Sequence, residues 1–169
     1  DGQYTVKTEN SLNDVWANKQ GSAGEINMLL LGILQQLEIE AHPVLVSLRG
    51  TGSPITKDPI FEQFDHVMVW ANLDGEEMLM DVYDPYLELG WPRFEALNGQ
   101  AWVGDPEDPR WIDLEVPKMS RKISVDMKIA TDGMAQVRIK STMDGYDAQH
   151  GRYLLSTQRE PWHGPLMNT

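Results

Sequence analysis

A histidine and a carboxylate on neighbouring strands are the residues of this chain best placed to do chemistry. His66 opens the apolar run His66-Val-Met-Val-Trp-Ala-Asn72, and Asp81 lies in Glu77-Met-Leu-Met-Asp-Val-Tyr83. Between the two runs, Asp74-Gly75 is a hairpin turn signal. In such a hairpin, residues whose numbers sum to about 149 face each other, so His66 pairs near position 83 and Asp81 sits two residues from there. Even offsets keep side chains on one face, which lets His66 and Asp81 meet. An acid beside an imidazole orients the ring, as the third member of a hydrolase triad does. Upstream, Gly21 leads into a capped helix start at Ser22–Ala23. The partial positive charge at a helix N-terminus favours an anionic nucleophile such as a thiolate. No thiol is supplied, because the 169 residues include no cysteine. Disulfides and thiolate zinc sites are absent for the same reason. Taken alone, a histidine beside an acid on a hairpin is most often a structural hydrogen bond.

The elements that must position these residues follow from pattern. Ser11 is an N-cap with Asp14 three residues on, opening a short helix through about Asn18 that Lys19-Gln-Gly21 ends. Ser22-Ala-Gly-Glu25 is a second capping box. Ile26, Leu29, Leu30, Ile33, Leu34 and Leu37 then fall at helical spacing, with Met28 and Leu31 widening the stripe, which predicts a helix over 23–38 buried on most sides. His42 to Arg49 reads as a buried strand, and Gly50 to Phe64 as a long loop. Residues 86–99 are irregular and rich in aromatics, and Ala101-Trp-Val is a short strand. Asp105-Pro-Glu-Asp-Pro109 is a linker signal. Beyond it come Trp111 to Val116 and two alternating runs, Lys122–Ala130 and Met134–Thr142, joined at Asp132-Gly133. Gly145 to Gln158 reads as a helix with Tyr146, Tyr153 and Leu154 inward, and Glu160 to Thr169 as a loosely held tail. The order predicts an α+β class: a first unit over 1–112 and the start of a β-rich second unit over 113–169.

Three motifs in this order are similar to the core of the transglutaminase-like superfamily. They are Lys19-Gln-Gly-Ser-Ala-Gly-Glu-Ile-Asn27 with the following helix and Ile39-Glu-Ala-His-Pro-Val-Leu-Val46, then Phe64-Asp-His-Val-Met-Val69, then Met78-Leu-Met-Asp-Val-Tyr-Asp-Pro85. The resemblance covers roughly residues 11–100. It is closest to Bacteroidetes envelope proteins in which such a core lies between domains of unknown function. The Thr131-Asp-Gly133 hairpin, Asp144-Gly-Tyr-Asp-Ala148 and Arg152 resemble the β-rich domain that follows the core there.

The resemblance implies a cysteine-protease-like fold, a helix packed on an antiparallel sheet, truncated at its N-terminus. It makes His66 the general base and Asp81 the residue that orients it. It puts the nucleophilic cysteine at position 23, which here is Ala23. A methyl group cannot attack a carboxamide carbon. Ser22 does not replace it, since on a helix its side chain points about 100° away. Two readings follow. In one the chain is a pseudoenzyme that binds a peptide or protein, or has a structural role, in the cell envelope. In the other it is a cysteine-type amidohydrolase, transglutaminase or peptidase whose Cys has been replaced by Ala. The resemblance alone implies a periplasmic or envelope location.

Composition narrows the partners. With 26 acidic and 14 basic residues the net charge is −12. That acidity argues against nucleic acid and against anionic lipid. No run reaches the roughly 18 apolar residues of a membrane span, and no secretory signal opens the chain; Asp1-Gly2-Gln3, with no initiator Met, reads as the start of an excised fragment. No pair among His42, His66, His150 and His163 has metal-ligand spacing, and no cofactor is expected. Among the aromatics, Trp70, Tyr83 and Trp91, with Tyr86 and Trp102, are the candidates to line a ligand groove, although a hydrophobic core explains them nearly as well.

Overall fold

A computed structural model of the chain describes residue 6 and residues 8–116 and 118–157. The chain has helices and antiparallel sheet, an α+β class, and divides into two compact units, Asp1–Pro117 and Lys118–Thr169. The expected tail at 160–169, with His163, lies outside the described residues. Among the described residues no helix is long and apolar enough to cross a membrane.

The first unit begins with two helices, α1 (Leu12–Asn18) and α2 (Ala23–Gln36). The Ser11 hydroxyl accepts the N–H of Asp14 at 3.2 Å and caps α1. Lys19, with φ 52°, closes it in the left-handed region. Gly21 is needed for close approach: a Cβ there would lie 2.9 Å from Val15 Cγ1, so α1 could not pack as it does. The capping box is present, with the Ser22 hydroxyl accepting from the N–H of Glu25 and the Glu25 carboxylate accepting from the N–H of Ser22 at 2.7 Å. Glu25 does more than cap. Its other oxygen accepts from the backbone N–H of Glu9 and Asn10 at 2.9 and 2.7 Å, which ties the segment before α1 to the start of α2.

The buried face of α2 differs from the apolar stripe. Ala23, Asn27, Leu31 and Leu34 are buried, whereas Ile33 and Leu37 are exposed and Ile26, Leu29 and Leu30 are intermediate. The periodicity is right but the inward line runs along Ala23 and Asn27, because the helix presents a polar side chain to the sheet for a reason given below. The helix also stops at Gln36 rather than 38. Glu38 takes φ 60°, the N–H of Ile39 reaches Leu34 O and that of Glu38 reaches Gln35 O. This is the left-handed stop usually made with glycine, and Glu38 carries no local sign of it.

Five strands form an antiparallel sheet: β1 (Ala41–Val46), β2 (His66–Leu73), β3 (Glu76–Met80), β4 (Gln100–Val103) and β5 (Arg110–Asp113), in the order β3-β2-β1-β4-β5. The β2–β3 register runs from Val69↔Met80 to Leu73↔Glu76, which is the sum of 149 expected from the turn. Asp74 and Gly75 have φ 54° and 93°, both positive as a primed hairpin turn requires. Leu31 and Leu34 of α2 pack with Ala41, Val69, Ala71 and Met80 to form the core.

Two strands end earlier than expected. β1 stops at Val46 because the N–H of Leu48 donates to the Asp65 carboxylate and that of Arg49 to Glu95 O. β3 stops at Met80, not Tyr83, because the N–H of Val82 donates to the Asn27 side chain at 3.0 Å.

The second unit contains β6 (Arg121–Ile129), β7 (Ala135–Met143) and α3 (Gly145–Thr157). In the β6–β7 register Val125 faces Ile139 and Met127 faces Val137, so one face is apolar and the other carries Lys122, Lys128, Arg138 and Lys140. Of the residues expected inward on α3, Tyr153 and Leu154 are exposed; the helix instead buries Gly145 and Ala148, since the two-stranded sheet offers no second layer to cover longer side chains.

The Glu25 carboxyl is held at about 2, chiefly by the backbone N–H of Ser22 and then of Asn10, which outweigh burial. A depressed folded value stabilises the fold above the ordinary glutamate range and is lost as pH falls toward that value. Unfolding by urea followed from pH 5 to pH 2 should therefore show a fall in stability that is reduced in Glu25→Gln, and Ser22→Ala should cost about 1 kcal/mol at neutral pH.

Candidate functional site

The site is built where α2, the first residue of β2 and the end of β3 meet. His66 is fully buried, and its Nε2 lies 3.0 Å from Asp81 Oδ2. The turn between their strands thus brings together the two residues that the spacing selects. Ala23 is the first residue of α2 and is 2 % exposed. Ser22 caps the helix, the role expected of it.

Asp81 is not dedicated to His66. The Arg93 Nε–H donates to the same Oδ2 at 2.8 Å, and the Asn27 amide donates to Oδ1 at 2.9 Å. Asn27 spends the rest of its capacity on backbone: Nδ2 also donates to Val67 O at 2.9 Å, and Oδ1 accepts from Val82 N–H. Only this orientation of the amide satisfies a carboxylate, a carbonyl and an N–H at once. The polar residue on the inward line of α2 is there to hold this junction. Burial alone would raise the Asp81 carboxyl. The hydrogen bond and charge of His66, and then those of Arg93, overcome it and hold the group well below the usual carboxylate range. Asp81 is therefore an acceptor at neutral pH, and His66 must present an N–H to it from Nε2.

Neither Asn27 nor Arg93 stands out in the sequence as a chemical residue. The available signal for Asn27 is its place one helical turn after position 23, and for Arg93 its isolation as the single cation among residues 50–109 apart from Lys57. Arg93 is 6 % exposed and lies 4.9 Å above the Tyr83 ring. Tyr83 is thus a platform for the arginine that grips Asp81.

The three candidate groove aromatics occupy different surroundings. Trp70 is 5 % exposed. Its Nε1–H donates to Glu77 at 3.3 Å, and its ring lies against His42 and under Arg110. Trp91 is partly buried and its N–H reaches Glu88 O. A recess of about 200 Å³ beside Asp81 is lined by Val82, Asp84, Pro85, Leu87, Glu88 and Leu89, and by none of these aromatics. A larger groove of about 510 Å³ runs between α1 and α2, lined by Leu12, Trp16, Leu29, Gly32 and Ile33. Trp16, 67 % exposed, is an aromatic lining this groove that the sequence did not single out. Among the described residues no three His, Asp or Glu side chains converge as metal ligands would. No family model, curated protein or solved structure matches the chain.

A buried carboxylate shared by an arginine and a histidine cannot be neutralised without leaving a cation stranded. Removing one partner of such a pair costs about 3–5 kcal/mol. Asp81→Asn is expected to destabilise the unit by that order in chemical denaturation, whereas Glu62→Gln, at an exposed site, should stay within about 0.5 kcal/mol.

Proposed function

We propose that the chain is a catalytically degenerate transglutaminase-like module that binds a peptide or protein, or serves as a scaffold, in a cell-envelope protein. The observation that carries this reading is the buried His66–Asp81 pair at 3.0 Å, next to a helix whose first residue offers a methyl where the resemblance calls for a thiol. The helix-on-sheet arrangement of α2 against β2 supports a cysteine-protease-like core. So does the side of the ring that meets Asp81. With Nε2 turned to the acid, a nucleophile would be served from Nδ1. Envelope location rests on the sequence resemblance.

The second reading, an amide-cleaving or acyl-transferring cysteine enzyme with its nucleophile replaced, is favoured by the completeness of the surrounding network. Asp81 keeps every donor it needs, and the capping box that sets the helix start is unaltered. Both readings share the His66–Asp81 pair and differ in whether the parent gene encodes cysteine at position 23.

Ala23→Cys tests the shared pocket. With position 23 facing His66, as the resemblance implies, a thiol at this helix start should be held partly as thiolate. It is expected to react with iodoacetamide near neutral pH at least several-fold faster than free cysteine, with the excess lost in the His66→Ala background. A rate equal to free cysteine and indifferent to His66 would count against the inherited pocket.

A further inference from the structure

We infer that Asn27 and Arg93 are positioning residues that act through Asp81 to decide which nitrogen of His66 carries the proton. This rests on reading His66–Asp81 as the working pair of the site, and it concerns two residues which that reading does not itself require.

A carboxylate has two oxygens, and an unrestrained one can rotate and offer either to a neighbouring ring. Asp81 has no such freedom. Asn27 Nδ2 takes Oδ1 at 2.9 Å, and Arg93 reaches across both oxygens, with Nε at 2.8 Å from Oδ2 and its terminal nitrogen at 3.4 Å from Oδ1. The plane of the carboxylate is therefore fixed by two side chains from different parts of the chain, and Oδ2 is left aimed at His66 Nε2. Asn27 in turn is fixed by Val67 O, in the residue after His66, and by Val82 N–H, in the residue after Asp81. One amide thus references the histidine, the acid and the helix that carries position 23 to a single point. With an ionised, immobile acceptor on one side, the neutral ring keeps its proton on Nε2 and its lone pair on Nδ1. Loosening the carboxylate would let the ring exchange tautomers. An orienting acid that fails in this way leaves the wrong nitrogen protonated.

The test is nitrogen NMR on the full chain labelled at histidine, with the His66 signals identified by their loss in His66→Gln, at a pH where the ring is neutral. The parent is expected to show one tautomer, with the proton on Nε2 and two well-separated ring nitrogen signals. Asn27→Ser, which is too short to reach Asp81, should draw the two signals together as both tautomers populate, and Arg93→Gln should do the same. A folded Asn27→Ser or Arg93→Gln protein that keeps the parent's single tautomer overturns the inference. So does failure of both variants to fold, since the network would then be structural alone. Because the signal is read on His66 and not at position 23, this result is separate from the outcome of the Ala23→Cys alkylation.

Discussion

One buried anion organises the first unit. Asp81 is held ionised among three donors, and each comes from a different segment: Asn27 from α2, His66 from the start of β2 and Arg93 from the irregular stretch after β3. Charges with 1 % side-chain exposure are costly to bury. The sheet and helix accept that cost because every polar atom of the carboxylate has a counterpart. The network's contribution to net stability is therefore modest beside what breaking it would lose. What it supplies is uniqueness: other packings of α2 on the sheet would leave Asn27, Asp81 or Arg93 without partners.

That constraint also accounts for what the sequence did and did not disclose. The turn chemistry between β2 and β3 was readable, whereas Asp132-Gly133 marked the β6–β7 hairpin but not its register, which closes with Ala130 N–H on Met134 O. Asp74-Gly75 set the β2–β3 register, and with it the meeting of His66 and Asp81. The caps were readable too, since Ser22 and Glu25 satisfy each other within four residues of chain. Local signals of this kind need no knowledge of the rest of the fold. The inward face of α2 was not readable from hydrophobicity, because its deepest line contains Asn27. A stripe defined by apolar residues turns the helix away from the one amide that matters. The early end of β3 escaped for the same reason, as a side chain 55 positions earlier claims the Val82 N–H.

Arg93 illustrates a second limit. Its sequence neighbours, Pro92 and Phe94, give no periodicity, and a lone cation in an irregular stretch reads as surface. Its burial is created by the ion pair and by Tyr83 beneath it, both of which exist only after the chain has folded back. The aromatics show the converse. Trp70 looked available because tryptophan is common at ligand sites, yet His42 and Arg110 from neighbouring strands pack on its ring and Glu77 takes its N–H. Trp16, the most exposed aromatic among the described residues, sits on a short helix with one buried residue, Val15.

The return of Arg93 to Asp81 has a consequence for the eleven residues between them. The stretch from Val82 to Pro92 has no ladder of its own, and its two ends are joined by electrostatic attraction where another protein would use a disulfide. Closing a loop of that length carries an entropic toll that a covalent link would meet permanently. Here the fastening is reversible. Strong acid, by discharging the carboxylate, would undo this fastening, so the wall of the recess is closed only as long as that charge persists.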